Sequence, residues 1–192
     1  MLSDTLEAMK TSRSIDGITP SPLVQIALAH APKGRALELG AGSGRNGLYL
    51  AHNGYSVTAV DSSLSGLEVA AYAARLAGVS FEIVQAAGEV IPKGQYELVV
   101  TTLQLQLIDV HALHDAIRPV QDATTPGGVN AIIVALDKDT IDAERVHEFV
   151  TTILEPLYNG WDILSEEEEA LEPFADDQRM YHRAGLIARK KS

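Results

Sequence analysis

No cysteine occurs among the 192 residues of this chain. Disulfides and thiolate metal sites are thereby excluded, and with them the disulfide-stapled class of small extracellular scaffolds. Long apolar runs are missing too: no stretch approaches the roughly 18 residues that mark a bilayer-spanning helix. Basic residues are scarce beside acidic ones, 15 Lys and Arg against 26 Asp and Glu, for a formal net charge of −11. A protein that grips a phosphate backbone needs clustered Lys and Arg. The densest basic cluster here is Arg189-Lys190-Lys191, which suits a solvated tail, so nucleic acid is not the expected partner. Met1 to Glu7 has neither a basic n-region nor an apolar h-region, which predicts no signal peptide. A soluble cytoplasmic protein with no membrane partner is the plain expectation. Hydrophobic content of 46% and charged content of 21% are those of ordinary globular chains, and the length suits one domain with a sizeable core.

The strongest local signal is Arg35-Ala-Leu-Glu-Leu-Gly-Ala-Gly-Ser-Gly-Arg-Asn-Gly47. Arg35 to Leu39 is a short apolar run with one acid, bounded by Pro32 and Gly34 before and Gly40 after, which predicts a buried parallel strand. Gly40, Gly42 and Gly44 follow at once, and Arg45 to His52 predicts a helix closed by Asn53-Gly54. Strand, glycine turn, helix is the arrangement that brings backbone N–H groups and a helix N-terminus up to a ligand. A Cβ at these glycines would forbid positive φ or hold the ligand off the main chain. Gly42, Gly44 and Gly47 satisfy the dinucleotide pattern G-x-G-x-x-G, which by itself does not name the ligand. Gly40, however, comes directly off the strand, and Glu38 stands just before the turn, where a pyrophosphate would meet an anion. A carboxylate there suits a cationic ligand, such as the ammonium and sulfonium of S-adenosylmethionine, or holds the loop by accepting its N–H bonds. Asp61 follows the next apparent strand, Tyr55 to Val60. It lies about 20 residues beyond the first glycine, where an acid normally grips the ribose hydroxyls of an adenosine ligand.

These residues resemble a known family. Glu38-Leu-Gly-Ala-Gly-Ser-Gly44 with Asp61 is similar to motifs I and II of class I S-adenosylmethionine-dependent methyltransferases. Gly44-Arg-Asn-Gly-Leu-Tyr-Leu-Ala-His-Asn-Gly-Tyr-Ser-Val57, Thr125-Pro-Gly-Gly-Val-Asn130, Gly160-Trp161 and Ala188-Arg-Lys190 resemble its tellurite-resistance, TehB-type branch. The resemblance implies an α/β fold: a Rossmann-like, doubly wound, seven-stranded sheet, mostly parallel with an antiparallel C-terminal edge hairpin. It divides residues 1–192, as one domain, into an N-terminal segment 1–20 that is a candidate lid, a cofactor-binding core 21–137, and a C-terminal helix and hairpin 138–192. It also implies S-adenosyl-L-methionine as cofactor. The expected contacts are Glu38, Gly40, Ala41, Gly42, Gly44, Arg45 and Asn46 from the first strand and loop, and Asp61 and Ser62 after the second strand. Ala87 and Gly88 follow the third, and Thr101 and Thr102 the fourth.

The chain departs from the family in two places. Many relatives carry an acid after the third strand that accepts from the adenine amino group, where this chain has Ala86-Ala87-Gly88. The TehB-type branch carries a His-Arg pair between the last two strands, where this chain reads Glu168-Glu-Ala-Leu-Glu-Pro-Phe-Ala-Asp-Asp177; His182-Arg183 belongs to the final strand itself. An acidic mouth repels oxyanions, so the expected acceptor is a small-molecule nucleophile that is neutral or cationic, a thiol, selenol or amine, rather than tellurite. In the alternating run Leu103 to Leu107, Gln106 is the candidate to face that acceptor, at about the place where relatives often carry a histidine. Two other functions fit part of the sequence. Gly42, Gly44 and Gly47 with Asp61 match an NAD(P)-binding oxidoreductase, and the two departures suit a catalytically silent S-adenosylmethionine-binding protein.

The remaining elements are expected as follows. Ser21-Pro22 begins a helix with Leu23, Ile26, Ala27 and His30 on its apolar face. Leu64, Leu67, Ala71 and Ala74 mark another, ending at Leu76 with Gly78 beyond it. Ser80 to Gln85 and Tyr96 to Thr102 are strands. Asp109 caps a helix that buries Val110, Leu113, Ile117 and Val120. Pro119 inside that pattern, at roughly 3 kcal/mol for an interior proline, predicts a kink or break near Arg118. His111 and His114 lack a third ligand, so no metal site is expected. Thr125 to Gly128 is a turn into a strand at Val129 to Leu136. Thr140 to Tyr158 is a helix with Val146, Phe149, Val150, Ile153 and Leu157 inward, disturbed at Pro156. Strands from Trp161 into Glu169 and from Met180 to Arg189 form the hairpin.

Overall fold

The computed structural model describes residues 19–87, 90–104, 110–137, 143–173 and 180–192. Its strands are β1 Arg35–Leu39, β2 Ser56–Asp61, β3 Glu82–Gln85, β4 Tyr96–Gln104, β5 Thr124–Asp137, β6 Asp162–Pro173 and β7 Met180–Arg189. They form one sheet in the order β3-β2-β1-β4-β5-β7-β6. The first five pair in parallel, and β7 runs antiparallel between β5 and β6. This is the doubly wound sheet with an antiparallel edge hairpin expected from the sequence. His182 and Arg183 fall inside β7, in register with Leu136 and Ala135 of β5.

Helices cover both faces, which is why the parallel strands are apolar on both sides. In β1, Ala36 looks toward α1 (Pro22–His30) and α2 (Arg45–His52), whereas Leu37 and Leu39 look toward α4 (Val110–Asp122). The first cluster adds Leu23, Val24, Tyr49 and Leu50 from its helices. The second adds Leu113, Ile117 and Val120. Helix α3 (Leu64–Leu76) packs Leu67 against Ala41 and Ala59. Its buried stripe is Leu67, Ala70 and Ala74, so the inward residues are not the expected Leu64 and Ala71; Leu64 is exposed. Gly78 ends it with φ 69°, where Val79 N–H reaches back to the Ala74 carbonyl. In α1, Val24 is buried in place of Ile26.

Three expectations are corrected by local physics. Helix α4 does not break at Pro119 but continues through it to Asp122. Pro119 and Asp115 are both exposed, so the carbonyl that loses its N–H partner faces water, and the last turn closes with Ala123 N–H on the Pro119 carbonyl at 3.0 Å. The turn at Thr125 to Gly128 lies inside β5: pairing runs from Tyr96↔Thr124 to Leu98↔Val129, so the turn bulges from a strand that has already begun. The helix expected over 140–158 is α5 (Ala143–Phe149), a π-helical turn Val150–Leu154, and α6 (Glu155–Leu157). The disturbance precedes Pro156 rather than sitting on it. Thr151 and Thr152 hydroxyls bond back to the carbonyls of His147 and Glu148, and the deepest residues, Val146, Val150, Leu154 and Tyr158, recur every fourth position, the spacing of a widened helix. The expected cap Asp109 and the start of the helix at Thr140 lie outside the described residues.

A buried polar chain ties α4, β5 and α6 together. The Tyr158 hydroxyl donates to Asn130 Oδ1 at 3.1 Å, Asn130 Nδ2 donates to Thr124 Oγ1 at 2.6 Å, and Thr124 Oγ1 donates to the Val120 carbonyl at 2.8 Å. Burial pushes the Tyr158 phenol far above its ordinary range, so it remains a donor at any working pH. Replacing Asn130 with Leu orphans that donor in the core, at about 1–3 kcal/mol for the lost partner alone. Urea denaturation of Asn130→Leu is expected to show a loss of at least that size, and Tyr158→Phe a smaller one.

Candidate cofactor site

The carboxyl ends of β3, β2, β1 and β4 lie side by side. Register sets Asp61 beside Gln85, Leu39 beside Val60, and Leu39 beside Thr101. Between β1 and β4 the strand order reverses direction, and crevices for ligands in such sheets open at that reversal. Gly40 leaves β1 with φ 74°, Gly42 has φ 53°, and Gly44, the N-cap of α2, has φ 80°. All three lie in the left-handed region that glycine alone enters without strain.

The three glycines meet different surroundings. A Cβ on Gly40 would lie 2.9 Å from the Thr102 carbonyl oxygen, and one on Gly44 would lie 2.6 Å from the Ala70 Cβ. Those two are required by packing. A Cβ on Gly42 would meet nothing within 4 Å, so its bare Cα borders open space.

The loop does not present its N–H groups to a ligand in the way the sequence suggested. Gly40 and Ala41 donate to the Val60 carbonyl at 2.9 and 3.0 Å, Gly44 donates to Ala41, and Gly42 donates to Asp61 Oδ2 at 2.7 Å. Asp61 Oδ1 accepts from Ser63 N–H at 2.8 Å. One carboxylate thus clamps the glycine loop to the start of α3. An ionised carboxylate has about four acceptor positions, and these two bonds leave room for others. Two residues of this arrangement were missed in the sequence. Ser63 Oγ caps α3 by accepting from Gly66 N–H at 3.2 Å; a serine just before an apolar helical run is the available signal. Gly66 is there because its Cα packs on the Gly42 carbonyl, which a Cβ would approach to 3.0 Å.

Thr101 is buried and Thr102 half-buried at the end of β4. Ser62 is exposed, with its carbonyl accepting from Gln85 Nε2 at 3.3 Å, and Ala86 N–H donates to the Asp61 carbonyl at 3.0 Å, placing exposed Ala87 next to Asp61. Arg45 is half-buried in the first turn of α2. Gly88, Gln106 and the candidate lid up to residue 18 lie outside the described residues.

Glu38 does not stand in the crevice as a free anion. It is 1% exposed and lies under the first turn of α2, its Oε2 close enough to Gly47 that a Cβ there would be 2.6 Å away. Burial pushes its carboxyl up from 4.5 to about 8, against hydrogen bonds from the Asn46 side chain and the Gly47 backbone and the nearby Arg45, while Asp61 adds to the rise. Oε2 has no hydrogen bond of full geometry within the described structure. Glu38 is therefore mostly protonated at neutral pH. Because its folded-state pKa lies above the ordinary value, its contribution to stability is complete below about 4.5 and fades as pH rises through about 8. Thermal or urea unfolding across that window is expected to show falling stability, with a slope of up to about 1.4 kcal/mol per pH unit from this group. Glu38→Gln should flatten that slope.

The model of the family described as tellurite resistance protein TehB matches residues 19–181. The chain belongs to the TehB family. The TehB-type resemblance of Gly44 to Val57 is thus upheld over most of the chain. A Haemophilus influenzae relative named probable S-adenosyl-L-methionine-dependent methyltransferase TehB is 27% identical over 166 residues, 82% of this chain and 57% of that protein. The chain thus spans little more than half the length of that TehB relative. The crystal structure of TehB from Haemophilus influenzae superposes with a TM-score of 0.70 at 21% identity, covering 98% of this chain and 67% of that one. A structure titled for conversion of a disulfide bond into a thioacetal group during echinomycin biosynthesis gives 0.69 at 21% identity, covering 99% and 92%. At such identities the superpositions establish the shared fold. Among the described residues, no helix of this TehB-family chain is long and apolar enough to cross a membrane.

Proposed function

We propose that this chain is an S-adenosylmethionine-dependent methyltransferase acting on a small-molecule nucleophile. The observation that carries the reading is the open face of Gly42 beside the Asp61 carboxylate, at the sheet's reversal point. A Cβ-free surface next to an acceptor-rich acid fits a nucleoside whose ribose hydroxyls bond Asp61 while its chain lies across Gly40, Ala41 and Gly42. Thr101 and Thr102 border the methionine end, with Arg45 beyond the loop, and Gly44 holds the loop's shape. Ser62 and Ala87 flank the adenine, while Gly88 as a further adenine contact and Gln106 as the candidate to meet the acceptor are assigned from the sequence alone.

When bound, the cofactor supplies a methyl group on a sulfonium, whose leaving group is neutral. The chain's own task is then orientation and exclusion of water, which can be worth about 7–11 kcal/mol. The net charge of −11 favours a neutral or cationic acceptor over an oxyanion. A thiol, selenol or amine fits. The relative named as a methyltransferase supports the reaction class, and the family's description, tellurite resistance, does not by itself name the acceptor.

The test is transfer of a labelled methyl group from S-adenosylmethionine to a panel of thiols, selenols, amines and tellurite, with RNA as a further arm. Transfer to a thiol, selenol or amine is expected. Binding of the cofactor without transfer to any arm would leave a silent binder, and transfer only to tellurite or RNA would overturn the acceptor class.

A further inference from the structure

Ser21, Asn46 and Glu38 form a line of buried polar residues that leads from the start of α1 to the strand beneath the glycine loop. The backbone N–H of Ser21 donates to Asn46 Oδ1 at 2.9 Å, across 25 residues of sequence. That bond fixes which end of the amide is oxygen, so the NH2 end is the one that meets the Glu38 carboxyl, with which the Asn46 side chain is hydrogen-bonded. Asn46 is 4% exposed, and both ends of its amide are engaged inside the protein. It lies in the first turn of the helix that Gly44 begins, and Glu38 lies two residues before Gly40. A buried chain of hydrogen-bonded polar groups holds a single arrangement more sharply than apolar packing does, and here it ends on a carboxyl whose Oε2 has no partner within the described structure.

We infer that Asn46 is a positioning residue: it transmits the docking of α1 at Ser21 to the Glu38 carboxyl, and through that carboxyl sets the affinity of the glycine-loop crevice for its cationic ligand. This rests on the cofactor reading above. The groups that act on Glu38 are the Asn46 amide and the Gly47 N–H, with Arg45 favouring its anion and Asp61 opposing it. Ionisation of Glu38 places negative charge beneath the loop, so cation binding and loss of the proton favour each other. Asn46 stabilises the ionised form by donating to it. Without that donor the same gain in affinity requires a higher pH.

The test is calorimetric titration of the intact chain with S-adenosylmethionine from about pH 6 to about pH 9.5, for wild type, Asn46→Ser, Glu38→Gln and the double variant. Wild-type affinity is expected to rise several-fold across the Glu38 titration, beside the titration of the ligand's own α-amino group at about 8. Asn46→Ser, whose short hydroxyl withdraws the donor without adding a charge, should bind no more than about twofold more weakly near neutrality, where Glu38 is mostly protonated in both chains, and should show the rise displaced to higher pH. Glu38→Gln should keep only the ligand's own titration, and adding Asn46→Ser to it should leave that profile in place. The inference is overturned if Asn46→Ser leaves the wild-type pH profile in place, or changes the profile equally on the Glu38→Gln background. If Asn46→Ser does not fold, Asn46→Thr supports or overturns it by the same displacement or constancy of the profile. Failure of the wild-type chain to bind S-adenosylmethionine would remove the cofactor reading instead, and is distinguished by the first titration alone.

Discussion

Gly42→Leu is expected to fold and to lose S-adenosylmethionine, with affinity falling at least about a hundredfold. The residue has φ 53° and nothing within 4 Å of the position a Cβ would take. A left-handed non-glycine residue costs about 1–2 kcal/mol, which a folded domain of this size tolerates, but the added side chain fills the space assigned to the ligand. Gly40 gives the opposite expectation. There a Cβ meets the Thr102 backbone oxygen at 2.9 Å with φ 74°, so Gly40→Leu should destabilise the fold itself. Thermal unfolding beside calorimetric titration separates the two. A Gly42→Leu chain that folds and binds normally would show that the ligand lies elsewhere.

Asp61→Ala is expected to weaken cofactor binding by about a hundredfold or more while lowering stability only modestly. Hydrogen bonds to a charged group contribute about 1.5–3 kcal/mol each, and two from a ribose diol reach that factor. The stability loss comes from freeing the Gly42 and Ser63 N–H groups that Asp61 now accepts at 2.7 and 2.8 Å. Both donors lie near the surface, where water replaces much of the bond. Asp61→Asn keeps one acceptor oxygen and should fall between wild type and Asp61→Ala. Equal affinities for wild type and Asp61→Ala would contradict the assigned role.

The sheet and the glycine turn were legible for a common reason: they rest on local constraints. Three glycines at positive φ immediately after an apolar run specify a tight turn whatever the rest of the chain does, and Asp61 at the next strand end follows from the regular length of a β-α-β unit. The direction of the loop's N–H groups was not legible. It depends on the pairing of Leu39 with Val60, which brings the Val60 carbonyl under Gly40 and Ala41, and register is a property of two strands together. Glu38 shows the same limit. Its place at the strand end suggested a carboxylate facing a cation, but alternation along β1 turns it with Ala36 toward α2, where burial keeps it protonated. Pro119 misled because the cost of an interior proline depends on where the orphaned carbonyl points, and here it points to water. The widened turn at Val150–Leu154 did leave a trace, the fourfold recurrence of Val146, Val150, Leu154 and Tyr158, which a search at the ordinary helical period passes over.

A positively charged nucleoside amino acid in the crevice beside Gly42 is what the roles given to Gly42 and Asp61 require. Titrating the intact chain with S-adenosylmethionine and, in parallel, with NAD tests that most directly. One molecule of S-adenosylmethionine bound per chain, displaced by S-adenosylhomocysteine and absent in Gly42→Leu, is the predicted result. Saturable binding of NAD with none of S-adenosylmethionine would contradict it.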